Sequence, residues 1–405
     1  MTVQERERSR HDPLSLQGSR GVDFDLHGIV GIRLLDATAR DVRTVVRQIG
    51  PLQGTLDRQP DITVRFVERL DDPGPLTYVG WRHAGFNDRD FLVVVGSGAS
   101  SGRARIPFHD VGGRCHIVCE RSLPAVPLLL AIINLTALAY GVLPLHASAV
   151  DYHGKGVLAT GWAKGGKTET LLALMTAGGA HIGDEWVYIT ADRRLFGVPE
   201  PMRLWRWQLE QLPDLRARLT GPERARLRSW HLASRAVAGA SHSVSGMGTG
   251  TSLGSALQRL GAGVDRRVSV QVPPARLFGR ARVPLQGCLD HVLFVASHTS
   301  PEIRVEPVPG EEVALRMQAS LAEERSVFMG WYRQFRFAFP RLVSPVVETA
   351  PEREAALLAA TFAKAPAWWL RHPYPCSIAS LRHEVLGLLE PTPRTPTALR
   401  GRPCS

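Results

Sequence analysis

The sequence predicts an α/β protein: a P-loop core of mixed sheet with flanking helices, preceded by a small α+β unit. Three observations carry that prediction. Gly161-Trp162-Ala163-Lys164-Gly165-Gly166-Lys167-Thr168 satisfies G-x-x-x-x-G-K-[ST] between a strand-like run and a helical one. Ala147 to Asp151 and Val157 to Thr160 read as two strands joined by a glycine-containing turn, a hairpin that leads straight into the loop. Upstream, Val42, Val45, Val46 and Ile49 recur at helical spacing, whereas Ile62, Val64 and Phe66 alternate as in a half-buried strand.

Each element has its own signals. Thr38-x-x-Asp41 starts the first helix and Gly50-Pro51 ends it. Phe91 to Val95 reads as a buried strand. Leu123 to Leu145 contains no charged residue, a length that can span a bilayer. Pro124, Pro127 and Pro144 near its ends, with Asn134 and Thr136 inside it, favour a buried core helix over 123–145. After the loop, Leu171, Leu172, Leu174 and Met175 form an apolar helix side that Gly178-Gly179 stops. Ala180 to Ile182 begins the next strand, with Asp184-Glu185 placed within it. Val268 to Val272 and Leu289 to Val295 read as later strands, and Pro351 opens a helix over 352–363.

These elements divide the chain into a disordered tail (1–20), an amino-terminal α+β domain (21–122), a P-loop core (123–300), a carboxy-terminal α/β extension (301–390) and a second disordered tail (391–405). Residues 236–263, rich in Gly, Ser and Ala, read as a flexible loop within the core.

Composition bounds the partners. The net charge is +11, yet only four lysines occur, and Lys155, Lys164 and Lys167 fall within thirteen residues of one another. The cluster Arg216, Arg218, Arg224, Arg226 and Arg228 reads as a solvated helical face rather than a nucleic-acid footprint. No helix-turn-helix or helicase-like pattern accompanies the charge. Five cysteines at mostly wide spacing suit a reducing cytoplasm, and Cys115 and Cys119 read as residues of a short strand rather than metal ligands. The aromatic and basic stretch Trp331 to Phe337 reads as an alternating strand with a basic face, or as a recognition surface.

Phosphate chemistry is written most clearly at the loop. Glycines let consecutive backbone N–H groups turn toward phosphate oxygens, and the helix N-terminus adds positive potential. Lys167 places a compact charge on the phosphates, and Thr168 offers its hydroxyl to Mg²⁺. Asp184-Glu185 lies seventeen residues beyond Lys167, where a carboxylate can hold Mg²⁺ or take a hydroxyl proton. In a regular strand only one of the two faces the nucleotide. An acidic pair at a strand end is also what a solvated sheet edge carries, and a lone histidine such as His146 is ordinarily structural.

The run Leu145-His146-Ala147-Ser148-Ala149-Val150, then Gly156-Val157-Leu158, the P-loop, Thr168-Glu169-Thr170 and Asp184-Glu185 resembles the kinase domain of the HPr kinase/phosphorylase family. The core of that family is related to phosphoenolpyruvate carboxykinase. The likeness covers about 141–190, and the histidine-led hairpin before the loop is its discriminating feature. Arg276-Leu277-Phe278-Gly279 echoes the Leu-Phe-Gly segment that follows the family's second signature, but the glycine-rich signature itself has no counterpart.

The resemblance implies an ATP-dependent kinase with Mg²⁺. In that assignment Gly161 to Thr168 binds the nucleotide, and Lys167 and Thr168 serve its phosphates and the metal. Glu169 and Glu185 join the metal site, Asp184 is the general base, and His146 supports the transferring group. Arg267 stands where the family has a catalytic arginine, although Arg266 adjoins it and a surface arginine would fit the place equally well. The implied acceptor is a hydroxyl on a peptide, a protein or a small metabolite, and family members are often homo-oligomers. The competing classes are a nucleotide-responsive regulatory module, or an ATPase without transfer.

Overall fold

The computed structural model describes residues 21–72, 74–80, 84–87, 91–95, 102–228 and 269–390. The expectations for the two tails, for the loop 236–263 and for Arg267 lie outside the described residues. The chain forms two compact units. One takes the described residues within Met1–Gln48, Leu52–Thr136 and Phe328–Glu348, and the other those within Ile49–Pro51, Ala137–Val327 and Thr349–Ser405.

The first unit is an eight-stranded sheet: β1 (Val22–Leu26), β2 (Val30–Leu35), β3 (Ile62–Val67), β4 (Tyr78–Gly80), β5 (Ala84–Phe86), β6 (Phe91–Val95), β7 (Arg103–Pro107) and β8 (Cys115–Glu120). Its order is β1-β2-β3-β8-β7-β6-β5-β4, with β2, β3 and β8 parallel and the other pairs antiparallel. Helix α1 (Ala39–Ile49) connects β2 to β3. It starts as its sequence predicts: the Thr38 amide donates to Asp41 Oδ2 at 2.8 Å, and the Asp41 amide donates to Thr38 Oγ1 at 3.3 Å. Ile62, Val64 and Phe66 are buried, as their alternation predicts. Cys115 and Cys119 are buried on β8, and burial pushes the Cys119 thiol up to about 12.

The stretch Trp331 to Phe337 is not a strand. It lies in a helix, Ser326–Ala338, because Phe328, Tyr332 and Phe335 recur at helical rather than alternating spacing and are all buried. Their rings meet Phe108 at centroid distances of 5.3, 6.0 and 5.5 Å. The segment expected to belong to a carboxy-terminal extension thus completes the core of the first unit.

The charge-free stretch 123–145 is also shorter as a helix than expected. Helix α2 spans only Leu129–Ala139, eleven residues. Pro124 and Pro127 precede it, and Gly141, at φ 74°, closes it while the Val142 amide returns to the Ala137 carbonyl. Among the described residues no helix is long and apolar enough to cross a membrane.

The second unit holds β9 (Leu143–Tyr152), β10 (Lys155–Thr160), β11 (Ala180–Gly183), β12 (Trp186–Ile189), β13 (Arg194–Gly197), β14 (Met202–Trp205), β15 (Ser269–Val272), β16 (Gln286–His298), β17 (Arg304–Pro307) and β18 (Ala367–Pro373). Its main sheet runs β10-β9-β12-β13-β16-β18-β17, with β11 on β9, and β10 also pairs in parallel with β16, so that the pairing closes into a ring. Residues 301–390 are therefore no separate extension, since β17 and β18 belong to the sheet that carries the P-loop. Helix α3 (Lys167–Thr176) and helix α6 (Ile378–Leu389) share one apolar core, and helices α4 (Gly310–Glu324) and α5 (Ala350–Phe362) share another with the opposite set of strand residues.

Candidate phosphate-binding cleft

The hairpin β9–β10 turns at His153-Gly154, with φ of 52° and 81°, the left-handed pair that a two-residue hairpin turn requires. It delivers the chain to the loop at the end of β10. Gly161, at φ 152°, lies so close to β16 that a Cβ there would stand 2.3 Å from the Val295 carbonyl oxygen. Gly166 has φ 110°, and a Cβ there would stand 2.0 Å from His372 Nε2. The His372 ring accompanies the Gly165 carbonyl at 2.9 Å, so β18 as well as β10 and β16 shapes the loop.

Helix α3 then begins at Lys167 with its N-terminal N–H groups toward the loop. The Lys167 ammonium is buried and donates to the carbonyls of Gly161 and Trp162 at 3.1 and 3.0 Å. Burial depresses its pKa, and the charges of Glu185, Glu324, Asp184 and Glu169 work against that depression. Ser148 on β9 fixes the start of the helix by donating to the Lys167 carbonyl at 2.8 Å.

Asp184 and Glu185 do not continue β11. The strand along β9 is interrupted there and resumes as β12, with Glu185 at φ 70° and the Trp186 amide bonded to the Asp184 carbonyl at 3.0 Å. This irregularity overturns the expectation that only one of the pair faces the loop: both line the same cleft. The Thr168 hydroxyl lies 3.2 Å from each Asp184 carboxylate oxygen. Asp184 is 3% exposed, and burial, then the charge of Glu185, pushes its carboxyl up to about 7.

His146 stands opposite Trp186 in the β9–β12 ladder. Its Nε2 is 2.8 Å from Glu185 Oε2, and its Nδ1 meets Glu324 at the end of α4. Burial opposes charge on this ring, but the two hydrogen bonds to carboxylates outweigh it and the pKa is raised. The same bond to His146 holds Glu185 below the ordinary carboxylate range.

The resulting cleft, about 450 Å³, brings together His146, Ala163, Lys164, Gly166, Lys167, Thr168, Glu169, Asp184 and Glu185, with Arg203, Trp205 and Tyr374 as further walls. Gly161 and Gly165 shape the loop from behind. Trp162 is 53% exposed, so it does not pack against the sheet. Glu169 is buried and accepts from Gln208 Nε2 at 2.8 Å.

Sequence reasoning missed Glu324, Gln208, His372, Arg203, Trp205 and Tyr374, which reach the site from distant chain segments without a local pattern. It also missed Glu200, a carboxyl that burial, then the charges of Glu185 and Asp184, raise well above its ordinary pKa. Its Oε1 has no hydrogen-bond partner among the described residues. No protein-family model matches this chain, and no curated protein matches it either.

Proposed function

We propose that the chain is an ATP-dependent kinase of the HPr kinase-like type, transferring the γ-phosphoryl group to a hydroxyl on a peptide, a protein or a small metabolite. The observation that carries this reading is the buried Asp184 carboxyl against the P-loop's own hydroxyl, with its pKa pushed up to about 7. A carboxyl in that range can accept a proton near neutral pH and release it afterwards.

The residues present fit the nucleotide and its metal. Side chains are excluded at Gly161 and Gly166, and an ammonium and a helix N-terminus converge on the cavity. Among the described residues no three His, Cys, Asp or Glu side chains form a metal-holding group. Mg²⁺ carried by a nucleotide needs only one or two protein oxygens beside phosphates and water; Thr168 and Glu185 offer that donor set, Glu169 is held by Gln208, and Asp184 is left as the base. When bound, Mg²⁺ would neutralise phosphate charge.

In the reaction the acceptor O–H gives its proton to Asp184 while its oxygen bonds to the γ-phosphorus. The bond from that phosphorus to the bridging oxygen breaks, and ADP leaves. Lys167 exchanges the carbonyls of Gly161 and Trp162 for phosphate oxygens. His146, held between Glu185 and Glu324, keeps its charge beside the site in support of the transferring group.

Incubation with γ-labelled ATP and cell extract tests the reading. Label is expected on an acceptor, and Lys167→Ala is expected to lose nucleotide binding. Label released only as free phosphate would replace the kinase with an ATPase.

A further inference from the structure

One concavity outside the cleft shows an unusual charge arrangement. It is about 120 Å³ and is lined by Arg206, Glu210, Arg216, Arg224 and Arg228 over a floor of Leu209 and Leu227. The short helices Arg206–Gln211 and Pro213–Ala217 and the helical segment 221–228 converge to form it. The five-arginine cluster of the sequence is solvated, as expected, but it is not one helical face: Arg216, Arg224 and Arg228 line this pocket from two helices, whereas Arg218 donates to the Leu277 carbonyl at 2.7 Å.

Several arginines elsewhere in the molecule are matched to carboxylates, among them Arg33 with Asp23, Arg103 with Glu120, Arg121 with Asp41, and Arg276 with Glu223. In the pocket the one carboxylate, Glu210, is already engaged by Arg206 at 2.8 Å. Arg216, Arg224 and Arg228 have no carboxylate within ion-pair reach among the described residues. Three like charges around one concavity repel one another until an anion enters.

The pocket also adjoins the cleft along the chain. Arg203 and Trp205 line the cleft, and Arg206, the next residue, lines the pocket. Gln208, on the same short helix as Arg206, holds Glu169 at the start of α3.

Resting on the kinase reading, we propose that this arginine pocket docks an acidic segment of the polypeptide that carries the acceptor hydroxyl. With Glu210 held by Arg206, the charge of Arg216, Arg224 and Arg228 around a compact concavity with an apolar floor suits Glu or Asp side chains. Nucleic acid calls for a longer basic track without acidic residues.

The test uses the full chain and labelled peptides of about ten residues holding one serine and a run of glutamates on either side of it. A glutamine version of each serves as control. Fluorescence anisotropy at low salt is expected to show the glutamate peptide bound and the glutamine peptide unbound, with binding lost as salt rises. The triple variant Arg216→Gln, Arg224→Gln, Arg228→Gln is expected to weaken peptide binding at least about tenfold, with binding of a non-hydrolysable ATP analogue and the melting temperature unchanged. The matching triple lysine variant is expected to restore most of the binding.

Equal peptide binding by the glutamine triple variant overturns the proposal. So does a wild-type chain that binds the ATP analogue and neither glutamate peptide, or one in which a single-stranded oligonucleotide alone is held by these arginines. Failure of the kinase reading is separate: it shows as absent transfer from ATP while the peptide still binds.

Discussion

The Thr168 hydroxyl sits equidistant, at 3.2 Å, from both oxygens of the Asp184 carboxylate. The first residue pair of the site is therefore assembled from the helix after the P-loop and from a break in the strand that follows it. Asp184→Asn keeps the shape and the bond to Thr168 but removes the carboxylate proposed as the base. Transfer is expected to fall about 10²- to 10⁴-fold with ATP-analogue affinity unchanged, as steady-state kinetics and calorimetry would show.

The same substitution has a stability consequence whose sign is fixed. The folded carboxyl titrates at about 7, against 3.8 for an unburied aspartate. Below the lower value both states are protonated and the shift has no effect. As pH rises from there through about 7, the unfolded chain loses its proton first and the native state is progressively destabilised, by up to a few kcal/mol. Asp184→Asn is expected to melt higher than wild type at pH 8 and much closer to it at pH 4. Parallel melting curves at both pH values would contradict the buried acid.

His146 obeys the opposite rule. Its raised pKa gives a stability contribution that is full below the ordinary value of 6.5 and fades as pH rises through the folded one. Glu324→Gln removes one of its two carboxylates, so the ring is expected to titrate at lower pH by histidine NMR, with Glu185 keeping it partly charged. An unmoved titration midpoint would mean that Glu324 does not hold the ring.

Gly166→Ala combines a left-handed backbone with a methyl carbon 2.0 Å from His372 Nε2. Nucleotide binding is expected to vanish, and the melting temperature to drop by several degrees. Adding His372→Ala is expected to recover part of the melting loss, since the clash goes and the φ strain stays. A double variant no more stable than Gly166→Ala would remove His372 from the account.

In the first unit, Phe335 packs against Phe108, Phe86 and Tyr332 with centroid distances of 5.5, 6.1 and 6.1 Å. Phe335→Ala is expected to cost about 3–5 kcal/mol in denaturant unfolding. A loss below about 1 kcal/mol would show that this helix is not part of that core.

Local chemistry was legible in the sequence; long-range pairing was not. The Thr38/Asp41 start of α1, the strand at Ile62–Val67, the hairpin and the helix after the P-loop follow from propensity, capping and spacing within a few residues. The irregularity at Asp184-Glu185 depends on how β11 and β12 meet β9, which no local pattern encodes. Trp331 to Phe337 reads as alternating over seven residues, and the helical period emerges only when Phe328 is included. Gln208, Glu324 and His372 come from elements 39, 178 and 207 residues away from their partners.

The ring of strands sets an order on synthesis. β10, which ends in the loop, takes its parallel partner from Gln286–His298, and the loop then takes the His372 ring from β18. A nascent chain that has emerged only to the end of α3 has the complete glycine-rich sequence but neither of the walls that bend it. On the proposed nucleotide reading, phosphate affinity arrives late in translation, once residue 372 has left the ribosome and the long-separated strands have found each other.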